Sequence, residues 1–188
     1  MRVIAGIYRS RPLRSLRGMD IRPTADRLRE TLFDVLCAGN PAALEHTVWL
    51  DLFAGTGAVG IEALSRGAAM VYLVDSSVKS AELARENLES LGVASGFQVM
   101  KLDAVRAIER LERQGLAVDY IFADPPYRME DTYSQTLYAL SQSTLLKPGG
   151  LVIVEHQKRF DPGEKVGALK RFRTLEQGDA ALSFYRRS

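Results

Sequence analysis

The 188-residue sequence predicts an α/β fold, a doubly wound and mostly parallel sheet with helices on both faces. Three observations lead there. Short apolar runs at 47–52 (TVWLDL), 70–75 (MVYLVD), 97–102 (FQVMKL), 118–123 (VDYIFA) and 150–155 (GLVIVE) read as buried strands. Segments of helical period fill the gaps, so each strand is joined to the next by a crossover and the strands run parallel. The tail then breaks the rhythm: 168–175 (ALKRFRTL) and 180–186 (AALSFYR) are two strand-like segments around a turn at 176–179. With no helix between them they predict an antiparallel C-terminal hairpin at one edge and seven strands in all.

Taken in order, residues 2–8 (RVIAGIY) and 13–17 (LRSLR) look like a small β-hairpin. Pro23 and Thr24 then start a helix over roughly 24–38, with Leu28, Leu32, Val35 and Leu36 as its apolar stripe. Residues 1–40 are expected to form an appendage and residues 41–188 the main domain. Within the latter, 78–91 carries Leu83, Ala84, Leu88 and Leu91 at core-facing spacing, and Gly92 closes it as a C-cap. Lys147–Gly150 (KPGG) reads as a tight reversal before a strand. Trp49 inside a strand and Cys37 at a helix end read as core.

The chain has 46% apolar residues, enough for one sizeable core. No apolar run approaches the roughly 20 residues of a membrane span. The segment MRVIAGIYRSRP lacks the apolar core and cleavage site of a signal peptide, so a cytoplasmic protein is expected. One cysteine and two histidines give no metal-site spacing, and no metal is expected. The net charge of +2 hides an uneven distribution. Residues 1–30 hold eight basic and three acidic side chains, 31–157 nine and 16, and 158–188 eight and four. Basic ends around an acidic middle suit a polyanionic partner such as nucleic acid.

Chemistry concentrates at the strand ends. The first core strand runs into D51-L-F-A-G55-T-G57-A-V-G60, a G-x-G-x-x-G turn between strand and helix. Gly55 and Gly57 allow the turn and leave no Cβ to fend off a ligand, while the following helix points free N–H groups at it. The second strand ends in Asp75, placed to accept hydrogen bonds from ribose hydroxyls, and the third in Asp103, placed toward an adenine amine or as a helix N-cap. Asp51, Phe53, Ala54 and Thr56 in the loop, with Ser76 and Ala104 beside the two aspartates, complete the expected cofactor contacts. An adenosine-containing cofactor follows. The glycine loop fits NAD as well as S-adenosylmethionine.

Asp124-Pro125-Pro126-Tyr127 after the fourth strand decides between them. An exocyclic amine on a nucleobase is a poor nucleophile because its lone pair is delocalised into the ring. Hydrogen bonds from its two N–H groups to the Asp124 carboxylate and the Pro125 carbonyl localise that pair for attack on a sulfonium methyl. Consecutive prolines fix φ and offer no N–H, so the carbonyl between them is held and free to accept. Tyr127 offers a face for stacking the base, and Asp124 stabilises the charge that grows on nitrogen. Drawing a base from its stack costs a few kcal/mol. Phosphate contacts from Arg2, Arg9, Arg11, Arg14 and Arg17, and from the segment R22-P-T-A-D-R27-L-R29-E, are expected to offset it.

With D51-L-F-A-G-T-G57, D124-P-P-Y127 and R22-P-T-A-D-R-L-R-E-T-L-F33 in one chain, the sequence resembles the RsmD family of bacterial 16S rRNA guanine-N2 methyltransferases. The resemblance covers nearly the whole chain, and the third motif is its most telling part. It implies a class I S-adenosylmethionine-dependent methyltransferase fold, Rossmann-like, with a small N-terminal β-hairpin, acting on 16S rRNA within an assembling small subunit. By likeness Gly55, Gly57, Asp75 and Asp103 carry over as cofactor contacts and Asp124–Tyr127 as the catalytic loop. Arg22, Thr24 and Arg27 carry over as elements closing over cofactor or RNA. His156 is a candidate for lining the acceptor pocket. The residues themselves leave open an adenine-N6 or cytosine-N4 methyltransferase acting on DNA or RNA and, more remotely, an NAD-dependent oxidoreductase.

Overall fold

The computed structural model describes residues 1–15 and 23–188, and residues 23–25 by backbone alone. Its elements are α1 (Pro23–Leu36), β1 (Val48–Leu52), α2 (Ala58–Ser65), β2 (Met70–Asp75), α3 (Val78–Ser90), β3 (Phe97–Lys101), α4 (Ala104–Arg113), β4 (Val118–Ala123), α5 (Glu130–Gln142), β5 (Leu146–Gln157), β6 (Lys165–Val166), β7 (Leu169–Gln177) and β8 (Ala180–Arg187). One sheet runs in the order β3-β2-β1-β4-β5-β8-β7-β6. The five strands β1–β5 are parallel, and β8, β7 and β6 continue the sheet antiparallel. The seven expected strands are present, and the two-residue β6 adds an eighth at the edge. Among the described residues no helix is long and apolar enough to cross a membrane.

Period-two alternation sorts the core onto the two faces of the sheet. Trp49, Leu73, Phe122, Ile153, Leu182 and Phe184 face one layer with α2, α3 and α1. Leu50, Val74, Ile121, Val152 and Val154 face the other with α4 and α5. Trp49 is fully buried between Phe33 and Tyr120, at ring centroid separations of 5.5 and 5.1 Å. Two glycines of the loop serve this packing. A Cβ on Gly60 would stand 2.4 Å from Leu73 Cδ2 and 2.7 Å from Val71 Cγ1, so α2 lies against β2 closer than a side chain allows without a shift, and one on Gly57 would press on Ala84 Cβ at 3.3 Å.

Among the described residues the N-terminal hairpin is a single bridge, between Arg2 and Pro12. The cause is competition for its backbone donors. The N–H groups of Ile4 and Ala5 donate to the Glu62 carboxylate on α2 at 2.7 and 2.9 Å, and those of Ile7 and Tyr8 to Ser65. Anchored there, the segment cannot extend a ladder, while Val3 and Leu13 enter the core shared with α1 and α2. The stretch Lys147–Gly150 differs too. It is not a reversal ahead of a strand but a bulge inside β5: Val118 pairs with Leu146 and Tyr120 with Leu151. Gly149 at φ 80° accommodates the extra residues.

Candidate active site

Strand order reverses between β1 and β4, where the loops after neighbouring strands diverge in opposite directions and leave a crevice at the carboxyl edge. A cavity of about 630 Å³ lies there. Its floor is a row set by register: Asp51 on β1 pairs with Phe122 on β4, and Glu155 on β5 with Leu182 on β8. The loops Phe53–Thr56, Asp75–Ser77 and Asp124–Tyr127 form the walls, and Asp26, Leu28, Arg29 and Leu32 of α1 lie across it.

On the β1–β2 side, Asp75 Oδ2 accepts the Gly55 N–H at 2.9 Å and Oδ1 accepts the Ser77 N–H at 2.8 Å. Both oxygens keep a second lone pair, and the carboxylate lines the cavity beside Ser76. Asp51 is buried beneath the loop, its Oδ2 accepting the Gly60 N–H at 2.9 Å. Burial pushes its carboxyl up to about 8, with repulsion from Asp75 adding and the Gly60 bond opposing. Phe53 turns the chain out of β1 at φ 65°. A carboxylate acceptor, exposed loop backbone and an apolar wall suit an adenosine-bearing ligand, and the volume falls within the roughly 300–1,000 Å³ of small-molecule sites.

On the β4–β5 side, Asp124 and Glu155 sit side by side. Burial, then the neighbouring Glu155 and Asp51, hold the Asp124 carboxyl well above the usual range. Burial pushes Glu155 up to about 7, against a hydrogen bond from Tyr127. That bond runs from Tyr127 Oη to Glu155 Oε1 at 3.2 Å. Tyr133 Oη donates to the Pro125 carbonyl at 3.0 Å. Burial raises both phenols, so each stays protonated and acts as a donor.

The cavity thus gathers Asp51, Phe53, Ala54, Gly55, Thr56, Asp75 and Ser76 of the expected cofactor set together with Asp124–Tyr127. The other expected residues are placed or engaged differently. Gly57 does not line the cavity, because its bare Cα faces Ala84, Ile61 and Leu73. Asp103 and Ala104 also lie off its wall: Asp103 Oδ1 caps α4 by accepting from Val105 and Arg106 N–H at 3.0 and 3.4 Å. His156 points to the opposite face of β5 from Glu155. It is 3% exposed, bonded to the Gln157 carbonyl and Ser183 Oγ at 2.9 Å each, and packed edge-on to Phe160, a structural histidine. The Pro125 carbonyl, expected free, already accepts from Tyr133 and has one lone pair left. Arg9, Arg11, Arg14 and Arg27 are exposed and outside the cavity; Arg14 pairs with Glu86 at 3.1 Å, and Arg11 Nη2 donates to the Ser90 carbonyl at 3.2 Å. Arg17, Arg22 and the side chain of Thr24 lie outside what is described.

Arg29, expected with its segment at RNA phosphates, faces the cavity instead. It is 6% exposed, with Nη2 donating to the Arg2 carbonyl at 2.7 Å and to Asp26 at 3.1 Å. The spacing of Asp26 and Arg29, one helical turn apart beside Leu28 and Leu32, is the sequence signal that points to it.

The raised carboxyls carry a stability consequence. Asp51, at about 8, and Glu155, at about 7, keep protons in the folded protein that the unfolded chain has already released. From about pH 4.5 to about 8 the folded state therefore binds more protons, and the free energy of unfolding falls as pH rises. Asp51→Asn retains an oxygen for the Gly60 N–H and should flatten that fall. Thermal unfolding of both proteins between about pH 5 and 8 checks it, and parallel curves contradict it.

The family model described as "Conserved hypothetical protein 95" matches residues 1–186. The chain belongs to this family, the RsmD family. Among relatives of this RsmD-family chain, YlbH of Bacillus subtilis, provisionally named an rRNA methyltransferase, is 32% identical over 187 residues, covering 100% of this chain and 99% of YlbH. A ribosomal RNA small subunit methyltransferase D of Haemophilus influenzae is 33% identical over 159 residues, 84% of this chain and 79% of the relative. The solved structure of yhhF from Escherichia coli, provisionally titled a methyltransferase, superposes with a TM-score of 0.82 at 32% identity, covering 100% of this chain and 97% of yhhF.

Proposed function

We propose that this RsmD-family protein transfers the methyl group of S-adenosylmethionine to the exocyclic N2 of a guanine in small-subunit ribosomal RNA. The observation that carries the reading is the single cavity that Gly55 and Asp75 share with Asp124 and the Pro125 carbonyl. The relative from Haemophilus influenzae supports the RNA by its name. S-adenosylmethionine bound there supplies an electrophilic methyl on a sulfonium and leaves as a neutral thioether.

Gly55, Thr56 and Asp75 hold the cofactor on the β1–β2 side. Asp124 and the remaining lone pair of Pro125 O accept the two hydrogens of the amine, which localises the nitrogen lone pair toward the cavity. As the new N–C bond forms, nitrogen becomes positive, and the adjacent carboxylates stabilise that charge before one N–H proton passes to the Asp124 carboxylate and on to water. Tyr127 is half-buried at the mouth of the slot, placed to stack the base. Residues 1–40 serve as an RNA-contact appendage, with exposed Arg9, Arg11 and Arg27 for phosphates.

The test is transfer of labelled methyl from S-adenosylmethionine to small-subunit rRNA, assembling small subunits and duplex DNA in parallel. Label in the RNA or the particle is expected. Label confined to the DNA would remove the reading.

A further inference from the structure

Glu155 does not hold the reacting amine in the chemistry above, yet it is placed beside it. Ala123 on β4 pairs in parallel register with Val154 on β5, so Asp124 and Glu155 leave the sheet at neighbouring positions, and both line the cavity. The bond from Tyr127 occupies Glu155 Oε1 and orients the carboxyl; Oε2 has no partner among the described residues. The two hydroxyls on this side direct their protons elsewhere, Tyr127 to Glu155 and Tyr133 to Pro125 O. With both carboxyls ionised, the state that donors of a bound base favour, the slot presents acceptors to its occupant: one lone pair of Pro125 O, the Asp124 carboxylate and Glu155 Oε2.

Nucleobases differ in what stands next to the reactive amine. In guanine the N2 amine has N1–H, a donor, on one side and N3, an acceptor, on the other. In adenine the N6 amine neighbours N1, and in cytosine the N4 amine neighbours N3, both acceptors. A wall of acceptors complements the three consecutive donors on the N1 side of guanine and repels the lone pair that stands in place of N1–H in the other two bases, because each mismatch leaves polar groups unpaired.

We infer that Glu155 is the specificity-determining residue, its carboxylate accepting the N1–H of guanine while Asp124 and Pro125 O hold the N2 amine. The inference rests on the guanine-N2 reading and adds the group that distinguishes guanine from the other amino bases. It also accounts for two half-buried carboxyls side by side, a costly arrangement that the N1–H and N2–H donors of the base offset.

The experiment compares guanine with 2-aminopurine at the mapped position of the small-subunit rRNA, free or reconstituted with its proteins. 2-Aminopurine keeps the exocyclic amine and replaces N1–H by a lone pair. The wild type should prefer guanine by at least about 100-fold in kcat/KM. In Glu155→Gln the amide can turn its N–H to the 2-aminopurine lone pair, and the preference should fall below about 10-fold. Unchanged affinity for S-adenosylhomocysteine by calorimetry shows that the variant is folded. Competition binding of the two RNAs gives the same comparison without turnover, and there too the preference should shrink in the variant. Equal preference in wild type and variant, by rate and by binding, overturns the role of Glu155 alone. Failure of the wild type to form N2-methylguanine overturns the underlying reading with it.

Discussion

Asp124→Ala should lower kcat by about 10³ while the affinity for S-adenosylhomocysteine stays within a few-fold. Asp124 touches the amine, not the glycine loop, and its contribution grows as charge develops on nitrogen. The fold should not suffer. Burial next to Glu155 and Asp51 makes an ionised Asp124 costly in the native state, so its removal leaves the melting temperature equal or higher, as for many groups kept for chemistry at the expense of stability. Single-turnover rates, calorimetry and thermal unfolding of one preparation check all three parts. An unchanged kcat would remove Asp124 from the mechanism.

Glu62→Ala should have the largest effect on stability. Glu62 is fully buried, accepts the Ile4 and Ala5 N–H groups at 2.7 and 2.9 Å, and pairs with Arg66 at 2.8 Å. Deleting it strands backbone donors and one guanidinium edge together, a loss of roughly 3–5 kcal/mol. For a chain of this size that lowers the melting temperature by about 10 °C. The amides of Ile4 and Ala5 should then exchange rapidly with solvent, and Glu62→Gln, which keeps an acceptor oxygen, should recover part of the loss. A melting temperature within about 2 °C of wild type would show that the N-terminal segment is held by its other contacts, Val3 and Leu13 in the core and the bonds to Ser65.

The sheet was legible because β1, β2 and β4 are buried on both faces and read as unbroken apolar runs, bounded by glycine and aspartate at the ligand edge. The site was legible where chemistry and turn geometry coincide, as in the Gly55 loop and Asp124–Tyr127. It was obscured where a choice of face decides. Glu155 and His156 are adjacent in sequence, and only the pairing of β5 with β8 settles that Glu155 joins Leu182 at the cavity while His156 turns to Phe160. Asp103 shows a second ambiguity, since a strand-end aspartate can serve a ligand, a helix cap or both, and here Oδ1 makes the cap. The N-terminal bridge shows a third. Residues 2–8 have strand-like composition, but their donors go to a side chain 58 residues away, whose only sequence trace is a lone charge inside the apolar helix AVGIEALS.

The central claim is that Asp124 and the Pro125 carbonyl grip an amine flanked by a donor. Digestion of rRNA methylated by the protein with isotope-labelled S-adenosylmethionine, followed by mass identification of the labelled nucleoside, tests it most directly. N2-methylguanosine is the product the cavity calls for. Label in N6-methyladenosine or N4-methylcytidine would contradict it.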